Sequence, residues 1–188
     1  GGGGGEGRRR LSGHVVADAG ADGEGPALSA GRRARQLSTV TFDFETAPGW
    51  STGGGNPPYA FTRNSGASPN DDTGPSSGYG GSGHYYYAYG IGLFTLAYDG
   101  SACSASGQVV ATVAFHYHMY GRDMGELRLV DAEGRVDWSL SGDQGDAWRA
   151  ASVDVYDASF RFEYVRGDQL GGEPAVDEVA VSCGIAPP

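Results

Sequence analysis

The stretch Val109-Val110-Ala111-Thr112-Val113-Ala114-Phe115-His116-Tyr117-His118-Met119-Tyr120 decides the fold. In an extended chain, successive side chains point to opposite faces. Val109, Ala111, Val113, Phe115, Tyr117 and Met119 therefore share one face, and Val110, Thr112, Ala114, His116, His118 and Tyr120 the other. Both faces are partly apolar, which predicts a long central strand.

Outward from this strand the same two-residue period recurs. Val40, Phe42 and Phe44 alternate with Thr41, Asp43 and Glu45, and His84-Tyr85-Tyr86-Tyr87-Ala88-Tyr89 is aromatic-rich and strand-like. Glu126 to Val130 and Arg135 to Leu140 flank Ala132-Glu133-Gly134, the pattern of a hairpin with glycine at its turn. Ala151, Val153 and Val155, then Phe160, Phe162 and Tyr164, then Val179, Val181 and Cys183 continue the series. Between Ala47 and Gly83 turn residues dominate, broken by a short Tyr59-Ala60-Phe61-Thr62 stretch, and the segment after Tyr89 through Gly100 reads as a loop. About eight or nine short strands at this spacing make an all-β chain, a sandwich of two antiparallel sheets.

Composition agrees. Gly accounts for 34 of 188 residues, Tyr is the commonest aromatic at 11, and Lys is absent, which favours short strands and tight turns over helices. The length suits one domain plus a tail. Residues 1–37 hold six Arg against four acids with little apolar surface, and read as a disordered Gly/Arg/Ala-rich linker; Arg32-Arg33-Ala34-Arg35 within it resembles a processing site for a basic-specific protease. Residues 38–185 form the predicted domain, with seven Arg against nineteen acids from residue 38 onward. Such an acidic surface repels phosphate and excludes nucleic acid as the partner, while remaining compatible with cations. No apolar run is long enough to span a membrane. The start at Gly1, without a leader pattern, suggests a piece of a longer precursor. Cys103 and Cys183, counted alone, are equally two free thiols or one bridge.

Phe115-His116-Tyr117-His118-Met119-Tyr120-Gly121, followed by Met124-Gly125 and Leu127, resembles the signature strand and hairpin of the MAM family, found in meprins, neuropilins and receptor tyrosine phosphatases. Five further blocks fall in the family's order. They are Phe42-Asp43-Phe44-Glu45 with Gly49-Trp50; Thr73-Gly74-Pro75 with Tyr85-Tyr86-Tyr87; Trp138-Ser139; Ser141-Gly142-Asp143-Gln144-Gly145 with Trp148; and Phe162-Glu163, Val165-Arg166-Gly167 and Val176-Asp177-Glu178-Val179. The resemblance covers nearly everything after residue 40. It implies a jelly-roll sandwich, an extracellular or cell-surface location, and a role in adhesion, oligomerisation or ligand recognition. It further implies that Cys103 and Cys183 form the bridge tying the domain's end back to the sheet. The family's second, N-terminal cysteine pair has no counterpart between Val40 and Trp50.

Candidate chemistry is sparse. Glu45 and Asp177 match positions that bind a cation in some MAM domains, and calcium takes six to eight oxygens from carboxylates, carbonyls and water. The third acid expected after Thr73-Gly74-Pro75 is replaced by Ser76-Ser77-Gly78-Tyr79-Gly80, Tyr89 stands where the family often has Glu, and Asp71 or Asp72 could substitute. The same pair would have to be read as a carboxylate dyad if the domain cleaved glycosides. His116 and His118 share a strand face and could supply two zinc ligands, but no third lies at metal spacing, which favours structural roles. No nucleophile elbow, metalloprotease helix or phosphate loop is present.

The expected function is therefore a non-catalytic adhesion or recognition module within a larger secreted or membrane-anchored protein. Its partner would be an extracellular protein, homophilic contact included. The alternatives are a carbohydrate-binding module and an accessory domain of a protease. Aromatic placement discriminates between sugar and protein: an exposed Tyr or Trp platform favours glycan, whereas buried aromatics with a polar rim favour protein. Trp50, Trp138 and Trp148 read as core residues, and an outward pair from Tyr85 to Tyr87 could touch a partner.

Overall fold

The computed structural model describes residues 38–54, 60–90, 92–105, 107–166 and 171–188; the linker expected over residues 1–37 and its basic cluster lie outside the described residues. Eleven strands follow in chain order: β1 (Thr39–Phe42), β2 (Trp50–Gly54), β3 (Phe61–Ser65), β4 (His84–Ala88), β5 (Leu93–Tyr98), β6 (Val109–His118), β7 (Glu126–Asp131), β8 (Val136–Ser141), β9 (Arg149–Asp157), β10 (Phe160–Val165) and β11 (Ala175–Gly184). Two single 3-10 turns complete the regular structure, at Tyr79–Gly81 and Ser101–Cys103. One sheet runs β3-β4-β11-β6-β9 with β1 also paired to β11; the other runs β2-β5-β10-β7-β8, and every pairing is antiparallel.

The strand that decides the fold behaves as expected. β6 has a neighbour on each side, β11 and β9, and its alternate residues Val113, Phe115 and Tyr117 point into the core. The first and last strands pair directly, Phe42 opposite Val179 through Thr39 opposite Ser182. The hairpin of β7 and β8 turns through Ala132-Glu133-Gly134.

The segment read as a loop through Gly100 contains β5 instead. Phe94, Leu96 and Tyr98 are fully buried on alternate positions, and β5 bridges β2 to β10. Its outward residues Thr95 and Ala97 are small and weakly polar, so the alternation is faint in the sequence although the burial is complete.

Between the sheets the core is aromatic. Trp50 meets Phe42, Phe44, Tyr98, Phe160 and Phe162 at centroid distances of 5.0 to 6.4 Å, and Trp138 packs edge-on against Phe115 at 5.1 Å. Edge and tilted contacts of this kind each add about 0.5–1.5 kcal/mol beyond area burial. Cys103, in its 3-10 turn, is bonded to Cys183 near the end of β11 with Cα atoms 5.2 Å apart.

The outer face of the first sheet carries a second apolar cluster. Tyr85, Tyr87 and Ala175 are buried there with Trp148 against them. Residues 66–83 cover them, held by Tyr85 Oη donating to Gly66 O at 2.9 Å, Trp148 Nε1 donating to Ser77 O at 3.0 Å, and Tyr79 stacked on His116 at 3.6 Å. The Tyr85–Tyr87 run thus offers no outward pair: two rings lie beneath this strap, and Tyr86 packs edge-on against Phe44 at 4.9 Å.

Candidate functional site

β11 changes neighbours in mid-strand. Its first residues pair with β4 (Ala175 opposite Tyr87), its later ones with β1, and the β6 register breaks between Asp177 and Ala180, where Glu178 has φ 47°. Such a bulge re-aims side chains, and Asp177 sits in it. Asp177 is 3% exposed; its Oδ2 accepts from Tyr79 N at 2.8 Å and its Oδ1 from Glu178 N at 2.7 Å. Burial pushes its carboxyl up to about 6; the two N–H groups pull the other way, while Glu178 and Asp43 add repulsion.

Glu45 follows β1 on the exposed side. Its Oε1 accepts from His84 N at 2.8 Å and its Oε2 pairs with His84 Nδ1 at 2.7 Å, and these bonds hold its carboxyl below the usual range. Glu45 and Asp177 are therefore both tied to the segment 79–84, at the joint where β1, β4 and β11 meet. All four carboxylate oxygens of the pair already accept hydrogen bonds, from Tyr79, Glu178 and His84. Among the described residues no group of three or more His, Cys, Asp or Glu converges to hold a metal ion. Asp71 and Asp72, the candidate substitutes for the third acid, line a different opening.

His116 and His118 lie on the outer face of β6. His118 is buried, with Nε2 3.2 Å from Asp146 Oδ1, and burial pushes both imidazoles below the ordinary histidine range. His116 is pinned beneath the Tyr79 ring. His116 thus supports the strap, whereas His118 packs against Tyr120 and Trp148.

A wide opening lies elsewhere, and of its lining residues only Asp71 and Asp72 were candidate ligands from the sequence. Two adjoining cavities of about 510 and 260 Å³ share Asn70, Asp71, Asp72, Thr73 and Tyr120, with Arg122 and Asp143 lining one and Asp146 the other. Hydrogen bonds fix these loops to each other. Gly74 N and Thr73 Oγ1 both donate to Tyr120 O at 2.9 Å, Asp123 N donates to Gly171 O at 3.2 Å, and Glu173 N donates to Thr73 Oγ1 at 3.1 Å. Gly121, at φ 140°, crosses the junction where a Cβ would strike the Gly171 carbonyl and the Thr73 side chain. The groove is prebuilt, and four Asp against one Arg make it acidic. The sequence signal was an Asn-Asp-Asp turn and Asp-bearing loops beside the signature strand, each ordinary turn chemistry when taken singly.

Comparison with known proteins places the chain in context. The family model described as MAM domain, meprin/A5/mu matches residues 41–184. The human MAM domain-containing glycosylphosphatidylinositol anchor protein 1 is 33% identical over 148 residues, covering 68% of this chain and 15% of that protein. Anchor protein 2 of the mouse is 31% identical over 146 residues, covering 65% and 15%. The chain thus spans about 15% of the length of these relatives. Among solved structures, the K2 cleaved adhesin domain of Lys-gingipain superposes with TM-score 0.53 at 12% identity, covering 77% of this chain and 98% of that one. The K1 cleaved adhesin domain from Porphyromonas gingivalis superposes at 0.50 and 14% identity, covering 77% and 97%. At such identities the likeness concerns fold alone.

Proposed function

Since the chain belongs to the MAM domain family, we propose that it is a non-catalytic extracellular recognition module of a cell-surface or secreted protein, and that its partner is a protein. Relatives named as glycosylphosphatidylinositol-anchored MAM proteins support the location. No helix among the described residues is long and apolar enough to cross a membrane.

One observation carries the choice of protein over sugar: the three tryptophans and the Tyr85 and Tyr87 rings are spent inside the domain, and the exposed tyrosines Tyr79, Tyr89 and Tyr156 stand on three different segments. Tyr85, Tyr87 and Trp148 form the outer cluster and Trp50 and Trp138 pack against the core, whereas the prebuilt groove is rimmed by carboxylates, one guanidinium, one amide and one tyrosine. A glycan platform built on exposed tryptophan rings has no counterpart here, because all three tryptophans pack against the apolar clusters. Staining of cells with a soluble multimer of the domain tests this. Staining should vanish after surface proteolysis and survive enzymatic deglycosylation; the reverse pattern would establish the carbohydrate alternative.

A second reading concerns Glu45 and Asp177. We propose that this joint accepts calcium, because a buried carboxylate flanked by Asp43 and Glu178 has no cationic side chain among its partners. Binding to the folded state alone stabilises it with the logarithm of the ligand excess and so raises the melting temperature. A rise on adding calcium after chelation, lost in Asp177→Asn, is the expected result; identical melting curves would dismiss the ion.

A further inference from the structure

Glu173, on the loop entering β11, is 2% exposed. Its Oε1 accepts a hydrogen bond from Asn70 Nδ2, and its Oε2 is buried with no hydrogen-bond partner. A lone buried carboxylate oxygen is costly, and such a group calls for an occupant. Beside it lies a cavity of about 10 Å³ that shares Asn70, Thr73 and Gly171 with the acidic groove. That volume admits one water-sized group.

The groove's chemistry narrows the occupant. Carboxylates of Asp71, Asp72, Asp143 and Asp146 surround the openings, against the guanidinium of Arg122, with Arg166 beside the inner cavity. Anions are repelled by this balance. A metal ion needs converging ligands, and no three carboxylate, imidazole or thiolate groups converge among the described residues. Counting Glu173, five carboxylates face the two guanidinium groups of Arg122 and Arg166, and the Asn70 amide already donates to Glu173, so the balance favours a ligand that brings donors and positive charge. A guanidinium is a planar fork wider than one water, whereas an ammonium is compact and carries three donors. The Tyr120 side chain in the groove wall can lie along an aliphatic stem.

We propose that the groove seats a lysine side chain of a partner protein, its ammonium entering the inner cavity to meet Glu173. This stretch of chain contains no lysine, so a second copy of this domain does not supply the side chain. The inference rests on the protein-recognition reading and names the chemistry of that partner.

The test titrates the isotopically labelled chain with three capped glycine-rich peptides carrying, at one position, lysine, arginine or acetyl-lysine. Amide shifts confined to residues 70–73, 120–122 and 171–173 should saturate with the lysine peptide. Affinity should fall about fivefold or more for arginine and disappear for acetyl-lysine, as expected for one charge-assisted hydrogen bond gained or lost. Glu173→Gln should abolish the preference for lysine over arginine. The exposed pair Asp71→Asn and Asp72→Asn should weaken both peptides alike, which keeps the test valid if Glu173→Gln folds poorly. Equal affinity for lysine and arginine in the unaltered chain, or shifts elsewhere on the surface, would overturn the proposal. Protease-sensitive cell staining that persists alongside such a result would leave the recognition reading intact and remove the lysine seat alone.

Discussion

Asp177 shows how one side chain couples the joint of the first sheet to pH. Its folded-state value of about 6 lies above the ordinary 3.8 because burial penalises the ionised form more than the Tyr79 and Glu178 N–H groups favour it. A raised carboxyl means that the folded state holds its proton more tightly, so its contribution is fully present below pH 3.8 and is lost as pH rises through about 6. The shift corresponds to roughly 3 kcal/mol at full development, on the conversion of about 1.4 kcal/mol per pH unit. His116 and His118 run the opposite way: their folded values are lowered, so their contribution is present above 6.5 and fades as pH falls below it. Asp177→Asn isolates the first effect. Relative to the variant, the unaltered protein should be more stable at about pH 4 than at about pH 8, read as diverging melting temperatures; parallel curves would contradict the assignment. At neutral pH the variant should lie within about 1–2 kcal/mol of the parent, because an amide removes the buried charge but keeps only one acceptor for two N–H donors.

Elements were legible in proportion to the contrast between their faces. β10 alternates Phe160, Phe162 and Tyr164 with Arg161 and Glu163, and β7 and β8 are separated by a glycine turn, so both were readable from periodicity alone. β2 ends in Gly53-Gly54 and β5 turns Thr95 and Ala97 outward, so neither shows a strong period although Phe94, Leu96 and Tyr98 of β5 are fully buried. The Glu45 and Asp177 positions came from the family pattern and lie at one joint. The groove was illegible for a different reason: it is assembled from residues 70–73, 120–122, 143–146 and 171–173, which only the packed loops bring together. Gly121 is the crossing point of that assembly. Gly121→Ala would force a Cβ into a positive-φ position against the Gly171 carbonyl, so it should lower stability by about 1–3 kcal/mol in urea. Amide shifts should concentrate at Thr73 and Gly171 while the distant β7–β8 hairpin stays unchanged; a neutral substitution would show that the loops are less tightly locked than their hydrogen bonds suggest.

At the scale of the whole molecule, β11 is the member on which the first sheet depends, since β1, β4 and β6 all pair with it. It is also the last strand, so without an anchor it would be the natural place for the domain to fray. The Cys103–Cys183 bond supplies that anchor, joining the end of β11 to the turn that precedes β6 across 80 residues of sequence. Both sulfurs are buried, and β6 runs between β11 and β9, so the bond closes the chain around the strand that decides the fold. Loop-closure entropy assigns such a link about 4 kcal/mol, acting chiefly by restricting the unfolded chain. The Cys103→Ala and Cys183→Ala double variant should therefore lose roughly 2–4 kcal/mol in denaturant titrations. Because the unlinked chain expands further on unfolding, the slope of stability against urea should steepen at the same time. A loss of stability with an unchanged slope would instead place the bond's effect in the packing around Cys183, where the last strand meets Val110 of β6.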